Sequence, residues 1–229
     1  MPRPALPSVS RERLIVALDF PSAGDAVDFA KRVGEEVLWV KVGLELFCSA
    51  GPAVVNDLAA LGKKIFLDLK FHDIPNTVAH AVAAAAALPV GMIDLHASAG
   101  LKTLRAAQEA IQDRTDIGLL AVTRLTSDEG GEAGFADVER MAADAVEAGI
   151  FGVVCPAAAA GRLRGLYGDR LARVVPGIRP PGADANDQVH VATPAGAVEA
   201  GAHWIVIGRP ITRAADPAAA ARAIATSIP

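Results

Sequence analysis

Eight short runs rich in Val, Ile and Leu recur along the chain, separated by stretches with the spacing of amphipathic helices, and this repetition narrows the possible folds more than any other feature. The strand-like runs are 14–19, 37–43, 64–70, 92–97, 117–122, 150–155, 173–178 and 204–208. Helical spacing covers 25–33, 53–61, 75–88, 101–111, 138–148, 158–167, 194–200 and 217–226. Successive strand ends fall 23 to 33 residues apart. A strand–helix unit repeated without long interruption builds a parallel sheet, and eight units close into a single-domain (β/α)8 barrel, the TIM barrel of the α/β class. A doubly wound open sheet is the alternative. It usually has fewer strands and often a glycine-rich first turn, whereas the first run here ends Ala17-Leu18-Asp19-Phe20-Pro21-Ser22, with no G-x-G-x-x-G. No linker or shift of composition divides the chain, so one domain is expected over 1–229, with residues 1–12 as a frayed tail.

Composition removes several classes of function. A net charge of −4 argues against a nucleic-acid-binding surface, and 52% hydrophobic with 21% charged residues argues against disorder. The longest apolar stretch, 81–93, is interrupted by Pro89 and Gly91 and falls short of the roughly 20 residues of a membrane span. The first residues, MPRPALPSVSRER, lack the apolar core of a secretory signal. Cys48 and Cys155 are far apart and have no metal-type spacing, so they read as two free, buried thiols of a cytoplasmic protein.

Barrel enzymes place their sites at the C-terminal ends of the strands. The polar residues there are Asp19, Lys41, Asp68, Lys70, Asp73, His96, Thr123, Thr126, Arg179 and Arg209. Alternation along a strand points Asp68 and Lys70 to the same side. Charges at the inner mouth of a barrel are costly unless paired, so an ion-pair network that merely plugs the mouth is the plainer reading. Asp19, Lys41, Asp68 and Lys70, alternating in sign on three neighbouring strands, favour a working site. An ammonium held between carboxylates keeps its proton, which suits a proton donor better than a Schiff-base nucleophile. Asp73 precedes Pro75 and the next helix, where capping is its plain alternative role. The loops after strands seven and eight are the usual phosphate site of a barrel. Here Pro176-Gly177-Ile178-Arg179 leads into a Pro/Gly/Asp-rich segment, 180–187, and then Gln188, a candidate lid. Gly208 allows close backbone approach, and Arg209 offers a planar fork for phosphate oxygens.

Together these residues resemble the orotidine 5'-phosphate decarboxylase family. The matching pieces are ALD at 17–19, KVG at 41–43, DLKFHDIPNT at 68–77, HAS at 96–98, VTRLTS at 122–127, PGIRP at 176–180, DQ at 187–188 and IGRPIT at 207–212. They run in family order over nearly the whole chain. Val175 stands where Thr is expected before PGIRP, and His190 where Arg often follows the DQ pair.

The resemblance implies decarboxylation of orotidine 5'-monophosphate to uridine 5'-monophosphate and CO2, the last step of de novo UMP synthesis, with no cofactor and no metal. It implies that Asp19 and Lys41 hold ribose hydroxyls, that Asp68 sits near the substrate carboxylate and that Lys70 donates the proton, with Lys41 also part of the charge network. Asp73 and Thr77 would reach into the site of a second subunit, making a homodimer with shared sites. Thr126 would contact the pyrimidine, and Arg179, Gln188, Gly208 and Arg209 would lie at the phosphate side. His96 reads as a supporting hydrogen-bonded residue and His72 as structural. Two rivals remain on the residues alone. One is a phosphosugar barrel that shares D-x-K-x-x-D but uses a divalent metal. The other is a phosphate-ligand-binding barrel without catalysis.

Overall fold

In the computed structural model, residues 4–124, 131–180 and 192–229 are described, and they form a closed barrel of eight parallel strands in sequence order. The chain runs β1 (Leu14–Ala17), α1 (Ala23–Val33), β2 (Trp39–Gly43), α2 (Leu44–Ala50), α3 (Ala53–Ala60), β3 (Lys64–Phe71), α4 (Pro75–Ala86), β4 (Met92–His96) and α5 (Leu101–Ala110). It continues with β5 (Gly118–Val122), α6 (Gly131–Glu147), β6 (Gly152–Val154), α7 (Ala157–Tyr167), β7 (Ala172–Val175), α8 (Pro194–Glu199), β8 (Trp204–Ile207), α9 (Arg209–Thr212) and α10 (Pro217–Thr226). All eight expected strands are present, and β1 closes on β8 through Leu14–Ile205, Ile15–Val206 and Val16–Ile207.

Strand alternation divides the apolar residues into two cores. The inward set includes Ile15, Trp39, Phe66, Met92, Leu120, Phe151, Val174 and Trp204, which fill the barrel. The outward set, among them Val16, Val40, Ile65, Leu67, Ile93 and Ile205, packs under the helices. The lower barrel is crowded with rings, and Trp39 and Trp204 meet edge to face with centroids 6.3 Å apart. Gly118 is what lets Phe151 lie across β5, since a Cβ there would stand 2.5 Å from its ring. The inward phase of β2, β3 and β4 continues upward into Lys41, Asp68 and Asp94, so the pattern that fills the core also delivers charge to the mouth.

Several details differ from the sequence-based expectations. The described part of the segment expected to be a frayed tail is anchored. Ser10–Arg13 forms a 3-10 turn, Ser10 Oγ donates to the Ile228 carbonyl at 3.2 Å, and Leu6 packs against the ring-filled core. The barrel base is apolar and would otherwise face water, which gives the tail something to cover. Cys48 is exposed rather than buried, because α2 turns that side of the chain outward, whereas Cys155 is buried as expected. Helix α6 begins at Gly131, well before the expected 138. Arg124 packs beside Gly134 and pairs with Asp137, so a contact from beyond β5 supports a segment whose own glycines disfavour a helix. Helices α2 and α9 were not anticipated, being too short to show a helical period. Asp73 does not cap α4. The N-cap is Ile74 without a side-chain bond, and Asp73 Oδ1 accepts from the adjacent Ile74 N–H at 2.6 Å.

Candidate active site

Four charges converge at the C-terminal mouth as a chain of alternating sign. Lys41 Nζ lies 3.4 Å from Asp19 Oδ1 and 3.1 Å from Asp68 Oδ2, while Lys70 Nζ pairs with Asp68 Oδ1. One carboxylate is thus gripped by two ammoniums on opposite oxygens. Burial opposes ionisation of Asp68, but the Lys41 charge, the neighbouring Asp94 carboxyl and the Lys70 charge outweigh it and hold the carboxyl well below the usual range. Burial likewise disfavours the Lys41 ammonium, and the charges of Asp68 and Asp19 more than compensate, so its pKa stands above the ordinary lysine value. Gly43 has a local reason to be glycine, because a Cβ there would stand 2.9 Å from Lys41 Nζ.

A kink in β3 sets the direction of Lys70. Pairing with β4 runs Phe66–Met92 and Leu67–Ile93, then resumes at Phe71–Leu95, so β3 carries extra residues between Leu67 and Phe71. Lys70 sits in this bulge with φ of +50°, the one positive-φ residue other than glycine among the described residues. Its backbone N–H leaves the ladder and donates to Asp94 Oδ1 at 2.8 Å. A cavity of about 110 Å³ opens against this cluster, lined by Lys41, Asp68, Lys70, Asp94 and Arg124 over an apolar floor that includes Phe66 and Val206. It is the size of a small ring, comparable to a pocket that holds benzene. Clefts of about 610 and 670 Å³ lie at the opposite end of the barrel. Lys63, which lines both, is already engaged by the Gly34 and Val37 carbonyls, and Arg114 in the second is paired with Asp116.

On the side of β7 and β8, Arg179 is nearly buried. Its backbone N–H donates to the Ala192 carbonyl at 3.0 Å, and Nη1 donates to the Ile178 carbonyl at 3.0 Å. Among the described residues its Nε has no hydrogen-bond partner. Burial and the nearby Arg209 charge both lower the Arg179 pKa, so two guanidiniums stand close enough to repel. Gly208 lies between β8 and Arg209, and a Cβ there would be 3.5 Å from Ala17 Cβ and 3.8 Å from Asp19 Oδ2. Gly208 therefore borders the Asp19 end of the charge chain.

Asp73 and Thr77 are brought elsewhere. Both are exposed on the outer start of α4, beside Ile74, and neither lines the cavity. His96 packs against His72 with centroids 5.1 Å apart and the rings tilted by 37°, and burial, then His72 and Lys70, lower its pKa. Thr126, Gln188, His190 and the candidate lid from 181 onward lie outside the described residues. Among the described residues, no three His, Cys, Asp or Glu side chains gather to hold a metal ion, and no helix is long and apolar enough to cross a membrane. The sequence reading missed Asp94 and Arg124 as cavity residues. Asp94 had a legible signal, since Met92, Asp94 and His96 alternate on one face of β4, but it sits inside the strand rather than at its end.

Residues 12–224 match the family described as Orotidine 5'-phosphate decarboxylase / HUMPS family. The chain is 49% identical over 218 residues to the orotidine 5'-phosphate decarboxylase of Nitrosomonas europaea, covering 92% of this chain and 94% of that protein. It is 48% identical over 225 residues to that of Halorhodospira halophila, covering 94% and 95%. The crystal structure of orotidine 5'-phosphate decarboxylase from Lactobacillus acidophilus superposes with a TM-score of 0.83 at 37% identity, covering 93% of this chain and 97% of that one.

Proposed function

The chain belongs to the Orotidine 5'-phosphate decarboxylase / HUMPS family as a decarboxylase acting on orotidine 5'-monophosphate in pyrimidine synthesis, and we propose that it does so without a cofactor, with Lys70 protonating C6. The observation that carries this reading is the Asp19–Lys41–Asp68–Lys70 chain beside a ring-sized cavity at the barrel mouth.

The reaction breaks the bond between C6 and the carboxylate, leaving the electron pair on C6 as CO2 departs. No adjacent carbonyl delocalises that pair as an enolate, so the site has to stabilise it electrostatically and supply a proton. Lys70 offers both a positive charge and an N–H. The proton moves from its ammonium to C6, and water restores it to the lysine. Asp68, held ionised by two ammoniums, would lie beside the departing carboxylate and repel it in the ground state. Asp19 and Lys41 would take ribose hydroxyls, which suits Asp19 as the most exposed member of the chain. Arg179, Gly208 and Arg209 would hold the 5'-phosphate, with Gln188 joining them, and Thr126 would contact the base. A dianion between Arg179 and Arg209 would relieve their repulsion and occupy the unpartnered Arg179 Nε. Binding energy gathered at this remote phosphate would help to align the base over Lys70.

We further propose a cytoplasmic homodimer in which Asp73 and Thr77 of each chain complete the partner's site. Their exposure next to Ile74, itself 65% exposed, supports that placement. The direct test is loss of orotidylate absorbance with formation of uridylate, run with and without a chelator. Absence of turnover would refute the reading. Turnover abolished by the chelator and restored by a divalent metal would replace the cofactor-free mechanism with a metal-assisted one.

A further inference from the structure

We propose that Asp94 is a positioning residue that remains a neutral acid in the folded protein, donating its proton to the Asp68 carboxylate while its other oxygen holds the Lys70 backbone N–H. The inference deepens the decarboxylase reading above and concerns the same site.

Asp94 is 1% exposed and sits inside β4, among the least accessible polar residues described. Oδ1 is satisfied by the Lys70 N–H at 2.8 Å. Oδ2 is buried and meets no donor among the described residues. The Asp94 carboxyl neighbours that of Asp68, itself an acceptor, and two carboxylates form no hydrogen bond unless one carries a proton. The surrounding groups determine which one does. From β2 and β3, Lys41 and Lys70 grip both oxygens of Asp68 and keep it charged. No ammonium or guanidinium pairs with Asp94 among the described contacts, although Arg124 lines the same cavity and His96 follows on its own strand. A lone carboxylate so buried, beside a second one, is heavily penalised, and burial followed by the Asp68 charge moves the Asp94 pKa well upward. The proton therefore rests on Oδ2, where it satisfies the orphan atom and gives Asp68 a third donor.

The arrangement matters for the reaction because both ends of Asp94 act on the charge chain. Oδ1 secures the bulge that gives Lys70 its positive φ, and so fixes the direction from which its ammonium approaches Asp68. Oδ2 secures Asp68 against rotation. Asparagine reproduces this pattern, with one acceptor and one donor, whereas leucine has similar bulk and neither.

The experiment uses the full chain, its D94N and D94L variants, and carbon-13 NMR of aspartate-labelled protein. Near neutral pH the wild type should show a protonated aspartate carboxyl resonance that is missing from D94N. In the absorbance assay, D94L should lose about 10- to 100-fold in kcat, the scale of a hydrogen bond to a charged group, with KM changing much less. D94N should keep kcat at least about tenfold above D94L, on the same scale. Absence of the protonated resonance would overturn the proposal, even if D94L fails to fold. So would a D94N variant as impaired as D94L, since that would mean the negative charge is required, or a folded D94L with wild-type kcat. A wild-type chain that shows the resonance but never turns over orotidylate would refute the decarboxylase reading while leaving the neutral acid in place.

Discussion

Replacing Lys70 with alanine tests the proposed mechanism most directly, and the geometry says how much should be lost. Lys70 and Lys41 hold opposite oxygens of Asp68, and Lys41 is also tied to Asp19 and packed against Gly43. Lys41 is therefore not free to swing into the vacated place. Removing the proton donor forfeits about 10²–10⁴-fold, and removing a preorganised charge at the developing carbanion about 10²–10³-fold. Together kcat should fall by at least about 10⁴-fold, or roughly 5 kcal/mol of barrier. Folding should survive. Asp68 keeps Lys41 at 3.1 Å, and the Lys70 side chain is 30% exposed, so stability should drop by about 1–2 kcal/mol, the low end for a charged hydrogen bond. Uridylate binding should weaken far less than turnover, because the proposed ribose and phosphate contacts come from other strands. The assay is orotidylate absorbance, paired with thermal melting and calorimetric titration of uridylate. In the wild type, reaction in D2O should place deuterium at C6 of the product. A well-folded Lys70→Ala chain with kcat within about tenfold of the wild type would refute the assignment, since that is below the smallest effect of a lost general acid.

Three further outcomes are expected. Arg209→Ala should cut kcat/KM for orotidylate by about 10- to 100-fold, as for a lost charge-assisted contact, yet leave the slow turnover of phosphate-free orotidine unchanged, and equal losses on both substrates would place the phosphate elsewhere. Mixing Lys70→Ala chains with Asp73→Ala chains should restore part of the activity, because a heterodimer holds one site free of both lesions. No recovery after verified subunit exchange would rule out shared sites. His203 lies at the barrel base, where Nδ1 accepts from the Arg173 N–H at 3.1 Å, and burial together with the Arg173 charge lowers its pKa to about 4. Between about 6.5 and 4 the unfolded chain binds this proton and the folded chain does not, so the stability present above that window is lost as pH falls through it. The loss amounts to roughly 3 kcal/mol at 1.36 kcal/mol per unit. Denaturant melts of His203→Gln should lack that share of the acid loss, and an unchanged pH slope would show that His203 is not the group responsible.

Much of this was legible in the residues because a strand encodes its own sidedness. The inward phase of β3 is written in Phe66 and Asp68, that of β2 in Trp39 and Lys41, and eight repeats leave few topologies other than a barrel. The segment 68–77 and the Gly208-Arg209 pair carried the family resemblance for the same local reason, since their residue types and spacing survive without knowledge of any partner strand. Other features depend on contacts that no single segment contains. Helix α6 gains its first turns through Arg124 from beyond β5, and the tail is anchored through Ile228 from the far end of the chain. The bulge that turns Lys70 exists only in the mismatch between β3 and β4. Asp94 looks in the sequence like any aspartate in a strand. Its unusual state comes from its neighbours, because protonation is decided by desolvation and by the charges that barrel closure brings alongside, and those belong to Asp68 and Lys70 on the adjoining strand.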